Sequence, residues 1–199
     1  AKAGVRRLDG QTDYNRCWPG GDGAATPEGA VMSDVLDEMS RYSLFASIDI
    51  HNNTGNNPHY GCINRLDERY IFLASLFSRD IVYFVRPRGV QSMAFAGLCP
   101  AVTLECGSIA DVSGIEHAAS FVRTVLHLDS LMPEDRLPTD TRIYHTVATL
   151  RIPESVSFSF DGSEADIAFV EGFEFLNFRD LSPGLHVASL RTDNGLPLQ

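Results

Sequence analysis

An α/β fold is what the sequence predicts: a mixed, largely parallel sheet with flanking helices, followed by a small β-rich domain. Three observations predict it. Short apolar runs alternate with helix-length amphipathic segments from about residue 26 to residue 128, and alternation of that kind builds crossover units. A Pro- and acid-rich stretch, Met132-Pro-Glu-Asp-Arg-Leu-Pro138, then breaks the pattern, as linkers do. Beyond it, Ser155-Val-Ser-Phe-Ser-Phe160 alternates with period two before an Asp161-Gly162 turn, which is the pattern of a half-buried antiparallel strand. The expected boundaries are an α/β domain at 1–131, a linker at 132–140 and the β-rich domain at 141–199.

Taken in order, residues 1–25 are loop-rich and end in Trp18-Pro-Gly-Gly-Asp-Gly23. These glycines read as a turn, because no Lys-Ser/Thr follows and no apolar strand precedes, as a phosphate cradle requires. Thr26-Pro27-Glu28 supplies an N-cap, an N1 proline and an early acid, which start a helix through about residue 42. Its expected apolar stripe is Val31, Val35, Leu36 and Met39. The apolar run Leu44 to Ile50 reads as a strand that breaks at His51, before the Asn-rich loop 52–58.

A second helix, from about Asp67 to Arg79, carries Tyr70, Leu73, Ala74 and Phe77 on one face. Asp80 to Val85 reads as a buried strand, Ser92 to Ala96 as a short helix and Ala101 to Glu105 as the next strand. Ser113-Gly-Ile-Glu116 has the form of a capping box, starting a helix to about Leu128 with Val122, Val125 and Leu126 inward.

Composition narrows the function classes. The chain has 199 residues, 44% apolar and 21% charged, enough to bury a core and ordinary for a soluble globular protein. No apolar stretch approaches the roughly 18 residues that span a bilayer. The net charge of −10 argues against a nucleic-acid partner, which needs a basic surface. It leaves room for an anionic small substrate, since one buried arginine can hold a carboxylate. Lys2 is the only lysine, and arginine is the better fork for that task. Cys17, Cys62, Cys99 and Cys106 show no Cys-x-x-Cys spacing, so a reduced, cytoplasmic setting is expected. The chain starts without Met and stops at Gln199 without a terminal cap, and it reads as a piece of a longer protein.

Two strand ends carry the chemistry. His51 closes one apolar run and Glu105 closes another, and ligands of open α/β sheets sit at such carboxyl ends. A lone strand-end histidine is commonly structural, but Asp49 sits two residues earlier on the same strand face, where it can orient the ring of a metal-bound imidazole. One histidine does not make a zinc site, which takes three protein ligands and a water. Glu105 is the single acid between Ala94 and Ala110; beside apolar residues its pKa should rise, which suits a general base. A glutamate that merely bonds the next loop is the alternative. Cys106 reads as a small filler rather than a nucleophile.

Asn15 and Arg16 would form a carboxylate clamp if they face the site, or else a solvated loop pair. Arg6 and Arg7 could supply a cation to a developing oxyanion, or be surface charge, and Arg86 and Arg88 stand the same way. His59 and Tyr60 lie in the loop after His51; His117, His127, His145 and His186 read as structural. Ser92 lacks a Gly-x-Ser-x-Gly elbow, so serine hydrolase chemistry has no support.

Asp13-Tyr-Asn-Arg16, Asp49-Ile-His51 and Thr103-Leu-Glu105-Cys-Gly107, in that order, resemble the zinc carboxypeptidase superfamily, and within it the succinylglutamate desuccinylase/aspartoacylase branch. The resemblance covers roughly residues 5–130. It implies a zinc-dependent hydrolase that cleaves an amide bond in a substrate with a free carboxylate. It implies His51 as a zinc ligand, Glu105 as general base, Asn15 and Arg16 as the carboxylate clamp, and Arg7 as the arginine that polarises the carbonyl, with Arg6 open. The family's His-x-x-Glu zinc pair has no counterpart at any of the six histidines. Two further ligands are therefore expected upstream of Ala1, and the polypeptide as it stands is expected to bind zinc poorly, with an incomplete sheet and little hydrolase activity. The competing expectation is a non-catalytic carboxylate-binding module.

Overall fold

A computed structural model describes residues 10–109, 111–132 and 138–191. They fall into two compact units. One is built from residues up to Asn53 and from His59 to Val147, the other from Thr54–Pro58 and from Ala148 onward.

The first unit is an α/β sheet with its helices. Its strands are β1 (Ser47–Asn53), β2 (Tyr60–Ile63), β3 (Asp80–Tyr83), β4 (Ala101–Ser108) and β5 (Arg142–His145), in the spatial order β1-β4-β2-β3-β5. β1 and β4, β2 and β3, and β3 and β5 pair in parallel, while β2 runs antiparallel to β4. The sheet is thus mixed and largely parallel. Its helices are α1 (Pro27–Met39), α2 (Glu68–Ser75), α3 (Gln91–Phe95) and α4 (Val112–Leu126).

Burial matches the place of β4 inside the sheet, between β1 and β2. Ala101, Val102, Thr103 and Leu104 are all buried, and Ile63, Leu73 and Ile81 on neighbouring elements are wholly so. A strand covered on both faces reads as a continuous apolar run, and this one does. Phe77 after α2 meets Phe121 of α4 edge-to-face at 5.7 Å, and Trp18 meets Phe95 likewise at 5.5 Å.

Helix starts follow local chemistry. The Thr26 hydroxyl accepts from the Gly29 amide and Pro27 opens α1; the Asp67 carboxylate accepts from Arg69 at the start of α2. At α4 the expected capping box is not the cap. Asp111 occupies that position, and its carboxylate accepts from the Ser113 amide and hydroxyl. The helix therefore starts two residues earlier than expected, and Ser113 is not the cap but the residue whose amide Asp111 satisfies.

Other expectations are also corrected. In α1, Met32 and Leu36 pack on the core, whereas Val31, Val35 and Met39 are exposed, so the helix is rotated from the expected stripe. In α4, Leu126 is exposed while Val125 is buried. Tyr60 belongs to a strand rather than a loop. β5, expected in the C-terminal domain, completes the first sheet: Arg142 Nε and Nη2 reach the two Asp80 carboxylate oxygens at 2.7 and 2.8 Å. The units accordingly divide after Val147 rather than at 141.

The second unit holds a small sheet of β6 (Phe158–Ser159), β7 (Ile167–Phe169) and β8 (Ala188–Leu190). β6 pairs with β7 in parallel and β7 with β8 antiparallel, so the expected purely antiparallel arrangement is mixed. Phe160 stacks on Phe169 at 4.9 Å, and Phe169 lies 4.6 Å from Phe173.

Candidate functional site

The parallel register of β1 and β4 sets His51 opposite Glu105 and Asp49 opposite Thr103. Residues in register project to the same face of a sheet, so two groups far apart in sequence share one face. His51 Nδ1 lies 3.8 Å from Glu105 Oε1, and His51 Nε2 lies 3.0 Å from Asp49 Oδ2. Their side chains keep only 16–28% of their exposure. A carboxylate can only accept, so in the neutral ring Nε2 carries the proton and Nδ1 is the lone-pair nitrogen.

From the other side, β2 sets Tyr60 opposite Glu105 and Cys62 opposite Thr103. His51, Glu105 and Tyr60 form one rung across three strands. Burial, and then the nearby Glu105 charge, push the Tyr60 phenol and the Cys62 thiol well above their ordinary values. The same two causes raise Cys106 to about 11. At neutral pH these groups stay protonated, so none is a thiolate or phenolate nucleophile. Cys106 is buried, in line with a filling role.

Two residues past His51, a bulge in β1 sets Asn53 opposite Ser108. The Asn53 side-chain oxygen and nitrogen are buried with no hydrogen-bond partner among the described residues. Buried amides are normally satisfied, so this one offers a donor and an acceptor to a polar ligand. Sequence reasoning passed over both Asn53 and the placement of Tyr60. The signal for Tyr60 was the short run Tyr-Gly-Cys-Ile after an Asn-rich loop.

Gly107 shows why the Glu105-Cys106-Gly107 motif ends as it does. Its φ is +77°, and an added Cβ would lie 2.9 Å from Asp111 Oδ2 and 3.1 Å from His59 Nε2. His59 is itself paired with Asp111 at 3.2 Å. Side-chain bonds from Ser113 and His59 hold the Asp111 carboxyl below its ordinary value.

Asn15 and Arg16 lie on a 3-10 turn, Tyr14–Arg16, capped by Asp13. The loop is held by close backbone approach: Trp18 N–H donates to Gly89 O, and a Cβ on Gly89 (φ +81°) would come within 2.6 Å of Arg16 O. Arg16 donates to the Asn15 carbonyl. Neither residue bonds to His51 or Glu105. The structure brings His51 and Glu105 together, therefore, without joining the clamp residues to them directly. Arg6 and Arg7 lie outside the described residues.

The fold is similar to that of a succinylglutamate desuccinylase from Chromobacterium violaceum, with a TM-score of 0.59 and 20% sequence identity, covering 86% of this chain and 58% of that one. It is also similar to the apo ectoine utilization protein EutE (DoeB) from Ruegeria pomeroyi, with a TM-score of 0.53 and 16% identity, covering 94% of this chain and 60% of that one. This chain spans about three fifths of the length of each. No family model matches the chain, and no curated protein matches its sequence. The likeness establishes the fold class: the α/β architecture shared with these proteins.

The donor set tests how far zinc fits. His51 Nδ1, with its ring fixed by Asp49, is a sound single ligand. Among the described residues, no three His, Cys, Asp or Glu side chains group to hold a metal. The described residues therefore fit one ligand position and not a complete set.

Proposed function

We propose that this chain works in a zinc-dependent hydrolase that cleaves an amide bond in a carboxylate-bearing substrate, an N-acyl amino acid or a peptide C-terminus. The observation that carries the reading is the rung of His51 and Glu105, with Asp49 on the far nitrogen of the ring. Similarity of fold to a desuccinylase supports it.

In this reading His51 would hold the metal through Nδ1, and Asp49 would keep Nε2 protonated and the ring oriented. Bound zinc supplies Lewis-acid activation of water and of the carbonyl. Glu105 accepts the proton of the attacking water on its carboxylate and returns it to the leaving amine. Arg7 stabilises the developing oxyanion. Asn15 and Arg16 hold the substrate carboxylate by amide and guanidinium fork, and Asn53 offers a further polar contact at the same end of β1.

The test is hydrolysis of a panel of N-acyl amino acids by the natural protein that contains this chain. Glu105→Gln should lower kcat by about 10²–10⁴-fold, the usual reach of a general base. Wild-type kcat in that variant removes Glu105 from the role. A second reading, a non-catalytic carboxylate-binding module, draws support from the lack of a three-ligand group among the described residues. It predicts substrate binding that Arg16→Gln weakens, with no turnover by any form of the protein.

A further inference from the structure

The two strands that carry His51 and Glu105 both start at a cavity, at their amino ends. Ser43, Leu44 and Phe45 lead into β1, Cys99 and Pro100 lead into β4, and these residues line a space of about 530 Å³. That volume lies within the range of small-molecule sites. Its wall departs from the rest of the chain in charge. The protein has 26 acidic against 16 basic residues, yet the cavity is lined by Arg65 and Arg69 and by no acid.

The two arginines are not equivalent. Arg69 is held by Asp67, Nε to Oδ1 at 3.1 Å, which balances much of its charge. Arg65, also exposed, has no hydrogen bond or ion pair among the described residues, and its charge reaches Asp67 only through space. The floor is rigid. The Tyr70 hydroxyl is buried and lies within hydrogen-bonding distance of the Ala96 and Cys99 carbonyls, at 2.6 and 2.9 Å. Burial raises the Tyr70 phenol above its ordinary value, and the Arg65 charge opposes that rise. Burial also raises Cys99 to about 11, which leaves a neutral thiol that does not repel an anion. Leu44, Phe45, Leu98 and Leu131 complete the wall, and Phe45 and Leu98 are both about two-fifths exposed.

We propose that this cavity binds a small organic anion in which one carboxylate is joined to an apolar body. The carboxylate pairs with Arg65, with Arg69 alongside, and the body lies against Phe45, Leu98 and Leu131. This site is separate from the His51–Glu105 centre and does not depend on the function proposed for it.

Titration calorimetry of the natural protein that contains this chain with phenylacetate tests the proposal, with phenylacetamide as the neutral probe. The expected result is one saturable site for phenylacetate and at least tenfold weaker binding of the amide. Arg65→Gln, a change at an exposed loop position, should weaken phenylacetate at least tenfold. Gly97→Leu should abolish binding. Gly97 lines the cavity, and a Cβ there meets no atom within 4 Å on a backbone that is not left-handed, so the position accepts a side chain. Arg123→Gln, at an exposed arginine that does not line this cavity, should leave the isotherm unchanged, and circular dichroism checks that each variant is folded. Absence of saturable binding, or binding that persists in both Arg65→Gln and Gly97→Leu, overturns the proposal. Loss of binding in Arg123→Gln overturns it too, by showing that binding follows net charge rather than this cavity.

Discussion

Asp49 is the residue whose role is easiest to isolate, because it touches the imidazole on the nitrogen away from Glu105. If its carboxylate fixes the tautomer, Asp49→Asn should weaken metal affinity about 10–100-fold, the usual effect of losing such a partner. Competition with a chelator measures it, and unchanged affinity in the variant contradicts the assignment. The buried thiols give a second prediction. Burial raises Cys99 and Cys106 to about 11 from an ordinary 9.0, and Tyr60 and Cys62 shift the same way. Groups with folded values above their unfolded ones contribute stability that is complete below the unfolded pKa and lost as pH rises towards the folded one. Urea midpoints should therefore fall between pH 8 and pH 11. A flat profile over that range contradicts the burial of these groups. His51 and Glu105 were legible in the sequence because each is a single polar residue closing an apolar run. Tyr60 was not, because a four-residue strand shows no period until its partner is known.

At the scale of elements, capping decides where helices begin. Thr26 accepts from the Gly29 amide at 3.2 Å, so Thr26→Ala should cost about 1 kcal/mol in urea unfolding. Loss of nothing measurable would mean that α1 starts for another reason. At α4 the cap is an acid whose folded pKa is lowered, chiefly by the Ser113 hydroxyl and then by His59. The sign is opposite to that of the thiols: this stability is present above the unfolded pKa and lost as pH falls through the folded one. Asp111→Ala should thus be less stable than wild type at pH 7 and equal to it in strong acid. The capping-box reading failed here because Asp111 and Ser113 are both cap-type residues two positions apart, and spacing alone does not say at which of them the helix begins. Core faces were legible in α2, where Tyr70, Leu73 and Ala74 are buried as expected, as is Phe77 just beyond it. Leu73→Ala should cost about 2–5 kcal/mol. The face of α1 was misjudged because its apolar residues occupy more than one side of the helix.

For the whole molecule, alternation of apolar runs and amphipathic segments was enough to predict a largely parallel α/β sheet. The division into units was not legible, because β5 follows the Pro-rich stretch and still pairs with β3. What binds it there is the Arg142–Asp80 fork and the parallel register, both contacts across about sixty residues of chain that no local pattern reports. The candidate centre has the same character. Its two main groups lie on separate strands and meet only through the β1–β4 register, while the clamp residues Asn15 and Arg16 sit on a loop held by its own backbone contacts.

Metal retention by His51→Ala and Glu105→Gln, compared in the natural protein after dialysis against a weak chelator, tests the account most directly. The account predicts stoichiometric zinc in the wild type and in Glu105→Gln, and none in His51→Ala. Zinc retained in His51→Ala at the wild-type level would contradict it.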